Sequence, residues 1–229
     1  LVIKLFKMSL LNQNLEVILH AHGWDKKEVF TRYQITDFSQ LSIAQLEQLC
    51  SELNCSLENL LLFPQFVQRE RMNRIKLLIL DVDGVMTDAG MFFTENGDQF
   101  KKYNAKDGMA IMALTKANFQ VGIISSGFKL NMVKTRADLL NIQQVYVGRE
   151  PKMTILNKWC AELEISLNEV AIIGDDINDL EVMQHVGFSA CPADAVIRIK
   201  RQVDLVLQAK GGQGCVREFI DNYLLSEPV

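Results

Sequence analysis

Long apolar runs are missing from this 229-residue chain. Its longest stretches, such as Leu60 to Phe63 and Leu77 to Leu80, fall far short of the roughly 20 residues a membrane-crossing helix needs. Paired cysteines are missing too. Cys50, Cys55, Cys160, Cys191 and Cys215 are odd in number and hold no Cys-x-x-Cys, which argues against a disulfide framework or a zinc site and suits scattered reduced thiols. There is no excess of positive charge: the formal net charge is −4, so no global field draws nucleic acid or an anionic membrane. The opening LVIKLFK lacks the length and cleavage pattern of an export signal. Residues 1–8 are therefore expected to be an added tag or a disordered start, with Met8 as the natural beginning and the cytoplasm as the location. No internal repeat or low-complexity segment is visible. What remains, 48% hydrophobic and 23% charged, is ordinary for a folded chain with one large domain and a small partner.

The two parts follow different patterns. Residues 9–66 carry apolar residues at helical spacing and predict a small all-α domain. Leu11, Leu15, Ile18 and Leu19 make one stripe, ended by Gly23; Asp25, with Glu28 three residues on, opens a second helix. Ser42 opens a third and Ser56 a short fourth, which Pro64 follows. Residues 67–74 are charged and predict a linker helix. From 75 to 229 short apolar strands alternate with helices: KLLILDV, QVGIISS, QVYVG, EVAIIGD, GFSAC and DLVLQ. Helical stretches are expected from Gly108, Lys129, Lys152, Asn178, Ala193 and Cys215. This grammar predicts an α/β fold, a Rossmann-like parallel sheet sandwiched by helices. Asn96-Gly97, between two short strand-like arms, predicts a β-hairpin flap after the first strand, both residues accepting positive φ.

In such a sheet ligands bind beyond the carboxyl ends of the strands, and the polar clusters fall there. The first strand runs into Asp81-Val82-Asp83-Gly84. Alternation puts Asp81 and Asp83 on one side, where two carboxylates repel unless a proton or cation lies between them. Oxygen ligands suit magnesium. One Asp can attack phosphorus; the other can pass protons to the leaving alkoxide and from the attacking water. Asp175, Asp176 and Asp179 crowd the end of a later strand, with Asp175 and Asp179 as candidate metal ligands. Ser125, Ser126 and Gly127 end the second strand with hydroxyls and an N–H for a phosphate oxygen. Lys152, at a helix start after Pro151, brings a cation for the nucleophile and the phosphoryl group.

DVDGVMTDAG, YNAKDGMAI, GDDINDLEVM and GGQGCVREF, in that order, resemble the haloacid dehalogenase superfamily of phosphatases over about two thirds of the chain. The match is to its capless branch, which acts on octulosonate 8-phosphate and sialic-acid-type (nonulosonate) 9-phosphates. The resemblance implies Asp81 as nucleophile, Asp83 as acid/base, and Lys152 and Ser125 as phosphate binders. It implies Mg²⁺ on Asp81, the Asp83 carbonyl and Asp175, with Asp179 close by. It also implies Asp107 and the Gly211 to Glu218 segment, Arg217 included, on the substrate side, and a homotetramer with the hairpin at the interface. SSGF stands where the octulosonate enzymes read T-G-R, so aligning by strand selects Ser125 and aligning by glycine selects Ser126. Phe128 replaces the expected arginine there, and Arg149 is the candidate to supply that charge. The reading is a Mg-dependent phosphomonoesterase of a phosphorylated sugar acid; phosphoryl transfer to another acceptor stays open.

The helices of 9–66 resemble the lambda-repressor-like helix-turn-helix domain, with the recognition helix shortened to about ITDFSQ. Residues 9–67 hold three bases and seven acids, against the basic face a duplex binder needs. DNA is therefore not expected as a partner, and assembly or regulation is the role read for this domain. The alternative is a DNA-binding or assembly regulator whose phosphatase-like domain senses a sugar phosphate.

Overall fold

A computed structural model describes residues 9–62, 70–127 and 130–225. The start segment 1–8, Pro64, residues 67–69 of the expected linker and Phe128 lie outside the described residues. The chain divides into two compact units, Leu1–Glu70 and Arg71–Val229. Among the described residues no helix is long and apolar enough to cross a membrane.

The first unit holds α1 (Leu10–Ala21), α2 (Lys26–Tyr33), α3 (Ile43–Glu52) and α4 (Leu57–Leu62). Short polar side chains start three of them. Ser9 accepts from the Asn12 N–H, Asp25 from that of Lys27 rather than Glu28, and Ser42 forms a reciprocal box with Gln45. The α1 stripe buries Leu15, Ile18 and Leu19 against Val29, Phe38, Leu46 and Leu49. Between α2 and α3 the ITDFSQ segment contributes only one tight turn, Phe38–Gln40. Phe38 is fully buried there, edge-on to Phe30 at 4.9 Å.

The second unit is built on six parallel strands in the order β5-β4-β1-β6-β7-β8. They are β1 (Leu77–Leu80), β4 (Gln120–Ser125), β5 (Gln144–Val147), β6 (Val170–Ile173), β7 (Phe188–Cys191) and β8 (Leu205–Val206). Every strand read from the sequence is present. Their continuous apolar runs have a direct cause: Leu78 and Leu80 enter one core while Leu77 and Ile79 enter the other, and β6 divides its residues the same way. The covering helices are α5 (Ala105–Lys116), α6 (Leu130–Leu139), α7 (Lys152–Glu162), α8 (Leu180–Met183), α9 (Ile197–Lys200) and α10 (Cys215–Phe219). Helix α5 begins three residues before the expected Gly108, because Asn104 caps it through the Lys106 N–H. Helix α9 begins at Ile197 rather than Ala193. The intervening residues are spent on the site loops: Val196 N–H donates to the Asp175 carbonyl, and Asp194 accepts from Gly211 N–H.

The expected hairpin is β2 (Phe92–Phe93) against β3 (Gln99–Phe100). Gly97 takes φ +79°, whereas Asn96 does not have positive φ. The Thr94 N–H donates to the Asp98 carbonyl and the Gly97 N–H to the Thr94 carbonyl, so three residues close the loop and one left-handed glycine suffices.

Strand order fixes where a ligand sits. The chain leaves β1 for β4 and β5 on one side, then returns to β6 on the other. The crevice beyond the carboxyl ends of β4, β1 and β6 is the switch point of the sheet.

Candidate active site

All three strands deliver polar residues to that crevice. Residue 81 follows β1, residue 125 ends β4 and residue 175 lies two past β6. Asp81, Asp83, Ser125, Ser126, Gly127 and Asp175 line one cavity of about 460 Å³, with hairpin residues on its outer wall.

Beyond β1 the chain makes one wide turn, Val82–Met86, closed by the Thr87 N–H on the Val82 carbonyl at 3.0 Å. Gly84 sits in this turn at φ +91°. A Cβ there would stand 2.0 Å from Asp175 Oδ2, so the glycine admits both the turn and the approach of the second acidic loop. The turn is braced from behind. Gly212 N–H and Cys215 Sγ both donate to the Val85 carbonyl, and a Cβ on Gly211 would fall 1.9 Å from the Gly84 carbonyl oxygen.

Lys152, the first residue of α7, is 5% exposed. Its ammonium donates to Asp81 Oδ1 at 2.7 Å and Asp179 Oδ1 at 2.6 Å. Burial pulls its pKa down, but the two carboxylates more than offset this and hold it above the ordinary value. Asp179 is fully buried and also accepts the Asp175 N–H at 3.1 Å. Gly174 makes room for it, since a Cβ there would lie 2.4 Å from the Asp179 carboxyl carbon.

Asp81, Asp175 and Asp179 each bring a carboxylate oxygen within 4.8 Å of the others. Burial, then the charge of Asp179, pushes the Asp81 pKa up to about 7 against the pull of Lys152. Burial, then Asp81, Asp179 and Asp176, pushes Asp175 up to about 8. Asp175 Oδ1 is buried with no hydrogen-bond partner. An unpartnered buried carboxylate oxygen facing two others is a donor set that fits a hard divalent cation.

The other expected site residues are placed as follows. Asp83 Oδ1 accepts from the Lys101 ammonium and, at 3.5 Å, from the Thr87 hydroxyl. The Ser125 hydroxyl is buried and accepts the Gly127 N–H at 3.3 Å, while the exposed Ser126 hydroxyl meets Asn178 Nδ2 at 3.2 Å. Asp107, Arg149 and Arg217 do not line the cavity. The buried Asp107 accepts the Arg217 N–H at 2.7 Å and so caps α10, and the Arg217 side chain pairs with Asp221. Arg149 is exposed. Lys101 and Asn178 are cavity residues that sequence reasoning did not single out. Asn178 stood inside a quoted motif. Lys101 carries no motif of its own, and only its place on the arm returning from the Asn96-Gly97 turn pointed toward the strand end.

Residues 129–219 match the family model of haloacid dehalogenase-like hydrolases. The 3-deoxy-D-manno-octulosonate 8-phosphate phosphatase of Yersinia pestis is 37% identical over 158 residues, 69% of this chain and 84% of the relative. A crystal structure of the Yersinia pestis enzyme superposes with TM-score 0.68 at 35% identity, covering 70% of this chain and 86% of that one. The Moraxella catarrhalis enzyme, solved with magnesium, phosphate and its sugar acid, gives TM-score 0.68 at 28% identity over 71% of this chain and 93% of that one. A cobalt-bound Haemophilus influenzae phosphatase gives 0.65 at 33% identity over 69% of this chain and 91% of that one.

Proposed function

From the premise that this chain belongs to the haloacid dehalogenase-like hydrolases and is a phosphatase, we propose that it hydrolyses 3-deoxy-D-manno-octulosonate 8-phosphate or a closely similar phosphorylated sugar acid, a nonulosonate 9-phosphate included, with Mg²⁺. The observation that carries this reading is the buried triad of Asp81, Lys152 and Asp179 beside Asp175 at the switch point. Relatives named for octulosonate 8-phosphate and a relative solved with magnesium support the substrate and the ion.

In this reading Asp81 attacks phosphorus. An Asp81 oxygen–phosphorus bond forms as the bond to the sugar oxygen breaks, and Asp83, which enters the step carrying the proton left by the previous turnover, gives it to the departing alkoxide. Asp83 then takes a proton from water, which attacks the phospho-Asp81 and releases inorganic phosphate. Lys152 fixes Asp81 through one carboxylate oxygen and adds positive charge beside the phosphoryl group. Ser125, backed by the Gly127 N–H, is the proposed phosphate hydroxyl; Ser126, held by Asn178, is the alternative. Magnesium, held by Asp81, Asp175 and the Asp83 carbonyl with Asp179 close by, would supply neutralisation of phosphoryl charge. Met91, Phe92, Phe93 and Phe100 on the hairpin are each more than half exposed, which supports a homotetramer that covers them.

The test is a phosphate-release screen with magnesium over octulosonate, nonulosonate and plain hexose phosphates, run on wild type and Asp81→Asn. Wild type is expected to prefer a sugar acid, and Asp81→Asn to fold with turnover reduced at least about a thousandfold. Steady turnover in Asp81→Asn at the wild-type rate removes the nucleophile; silence of the wild type on every ester removes the function.

A further inference from the structure

The hairpin's return arm ends in Lys101, whose ammonium pairs with the Asp83 carboxylate. Its side chain is 14% exposed. A long cationic side chain usually keeps its head in water, yet this one is drawn into the cavity. Among the described residues lining that cavity Lys101 is the single cation, against Asp81, Asp83, Asp175 and Asp176. Lys152 stands behind the wall, committed to Asp81 and Asp179. A phosphate ester entering here therefore meets four carboxylates and one ammonium, and at these separations unlike charges decide the approach. The neighbouring Lys102 pairs with Asp88 at 2.9 Å from a largely exposed position.

We propose that Lys101 is a substrate-binding residue whose ammonium passes from Asp83 to an anionic oxygen of the incoming phosphate ester. The proposal rests on the phosphatase reading above. The leaving oxygen must come within hydrogen-bond reach of the Asp83 carboxyl, where the Lys101 ammonium now sits. An arriving anion offers that ammonium a replacement partner of the same strength, one charge-assisted bond for another. Asp83 is then uncovered only when an ester is in place. Two oxygens of the ester qualify as the new partner, one on phosphorus and one on the sugar acid's carboxylate.

The experiment compares wild type, Lys101→Gln and Lys101→Arg with magnesium present. It uses a phosphorylated sugar acid, a neutral hexose phosphate, and calorimetric titration with inorganic phosphate. Lys101→Gln is expected to raise KM about tenfold with a smaller change in kcat, and Lys101→Arg to recover most of it. Melting temperatures on the same samples separate misfolding from lost contact. A KM rise for both esters with weaker phosphate binding assigns the contact to phosphorus; a rise for the sugar acid alone assigns it to the carboxylate. Either supports the proposal. Unchanged KM and phosphate affinity in Lys101→Gln, or a loss confined to kcat, overturns it. A wild type that releases phosphate from neither ester defeats the phosphatase reading instead, and titration with phosphate and with the dephosphorylated sugar acid still decides Lys101: weaker binding of either in Lys101→Gln supports it, and unchanged binding of both overturns it.

Discussion

At the scale of single residues the site is a problem of excess negative charge. Three carboxylates share a few ångströms with one ammonium, and the resident cation is placed badly for its own helix, at the positive end of α7. Only the carboxylates make that position favourable for Lys152. Burial first, and then the neighbouring carboxylate charges, push Asp81 and Asp175 up to about 7 and about 8, so without a divalent ion protons carry the rest of the neutralisation. An unfolded Asp releases its proton near pH 4. From about pH 4 to about pH 8 the folded metal-free protein thus holds more protons than the unfolded chain, so its stability falls as pH rises through that window. With chelator present, the melting temperature is expected to drop by at least about 5 °C between pH 5 and pH 8. Magnesium should abolish most of the drop, since it takes the place of the protons. A melting curve independent of pH under chelator would mean that burial and mutual repulsion do not hold protons on these carboxylates.

At the scale of the element, the wide turn after β1 decides whether these carboxylates meet at all. Three separate segments pack onto it: the 211–212 glycines, Cys215 of α10 and the Asp175 loop. Gly84→Ala therefore has two costs, a left-handed φ and a Cβ 2.0 Å from the Asp175 carboxylate. It is expected to lower stability by about 1–3 kcal/mol and to displace Asp175, so that magnesium affinity falls by more than the loss of stability explains. Chemical denaturation under chelator and a magnesium titration of the same variant measure the two effects separately. Much of this element was legible in sequence. A buried parallel strand writes its apolar run locally, and an acidic residue straight after it falls at a strand end with no further information. The glycines beside the acidic residues, Gly84 after Asp83 and Gly174 before Asp175, could be seen, but the carboxylates they make room for could not. Lys101 was illegible for the same reason: it lies 18 residues from Asp83 along the chain, and the hairpin that joins them is tertiary geometry. Asp107 shows the reverse case, an acid flanked by motif residues whose carboxylate caps the helix that carries Arg217.

At the scale of the whole molecule the chain holds two units with separate cores. The core of Leu15, Phe38 and Leu49 draws only on the first unit, and the two cores flanking the sheet draw only on the second. The second unit contains every residue of the proposed mechanism. The first unit's helices resemble a DNA-reading domain, but its electrostatics oppose that use. Of its three bases between residues 9 and 67, Lys26 is paired with Glu16 and Arg32 with Glu52. The segment between α2 and α3 supplies a single turn in place of a helix for a groove. A phosphate backbone would meet net negative charge and lose the counterion release that drives such binding. Full-length protein is therefore expected to leave duplex DNA unshifted in gels at low salt, with or without a sugar phosphate. A chain beginning at Arg71 should fold, and its kcat/KM should stay within about threefold of the full chain's. Retardation of DNA that a sugar phosphate reverses would reinstate the regulator reading. Loss of turnover in the shortened chain with its melting transition intact would mean that the first unit completes the active site.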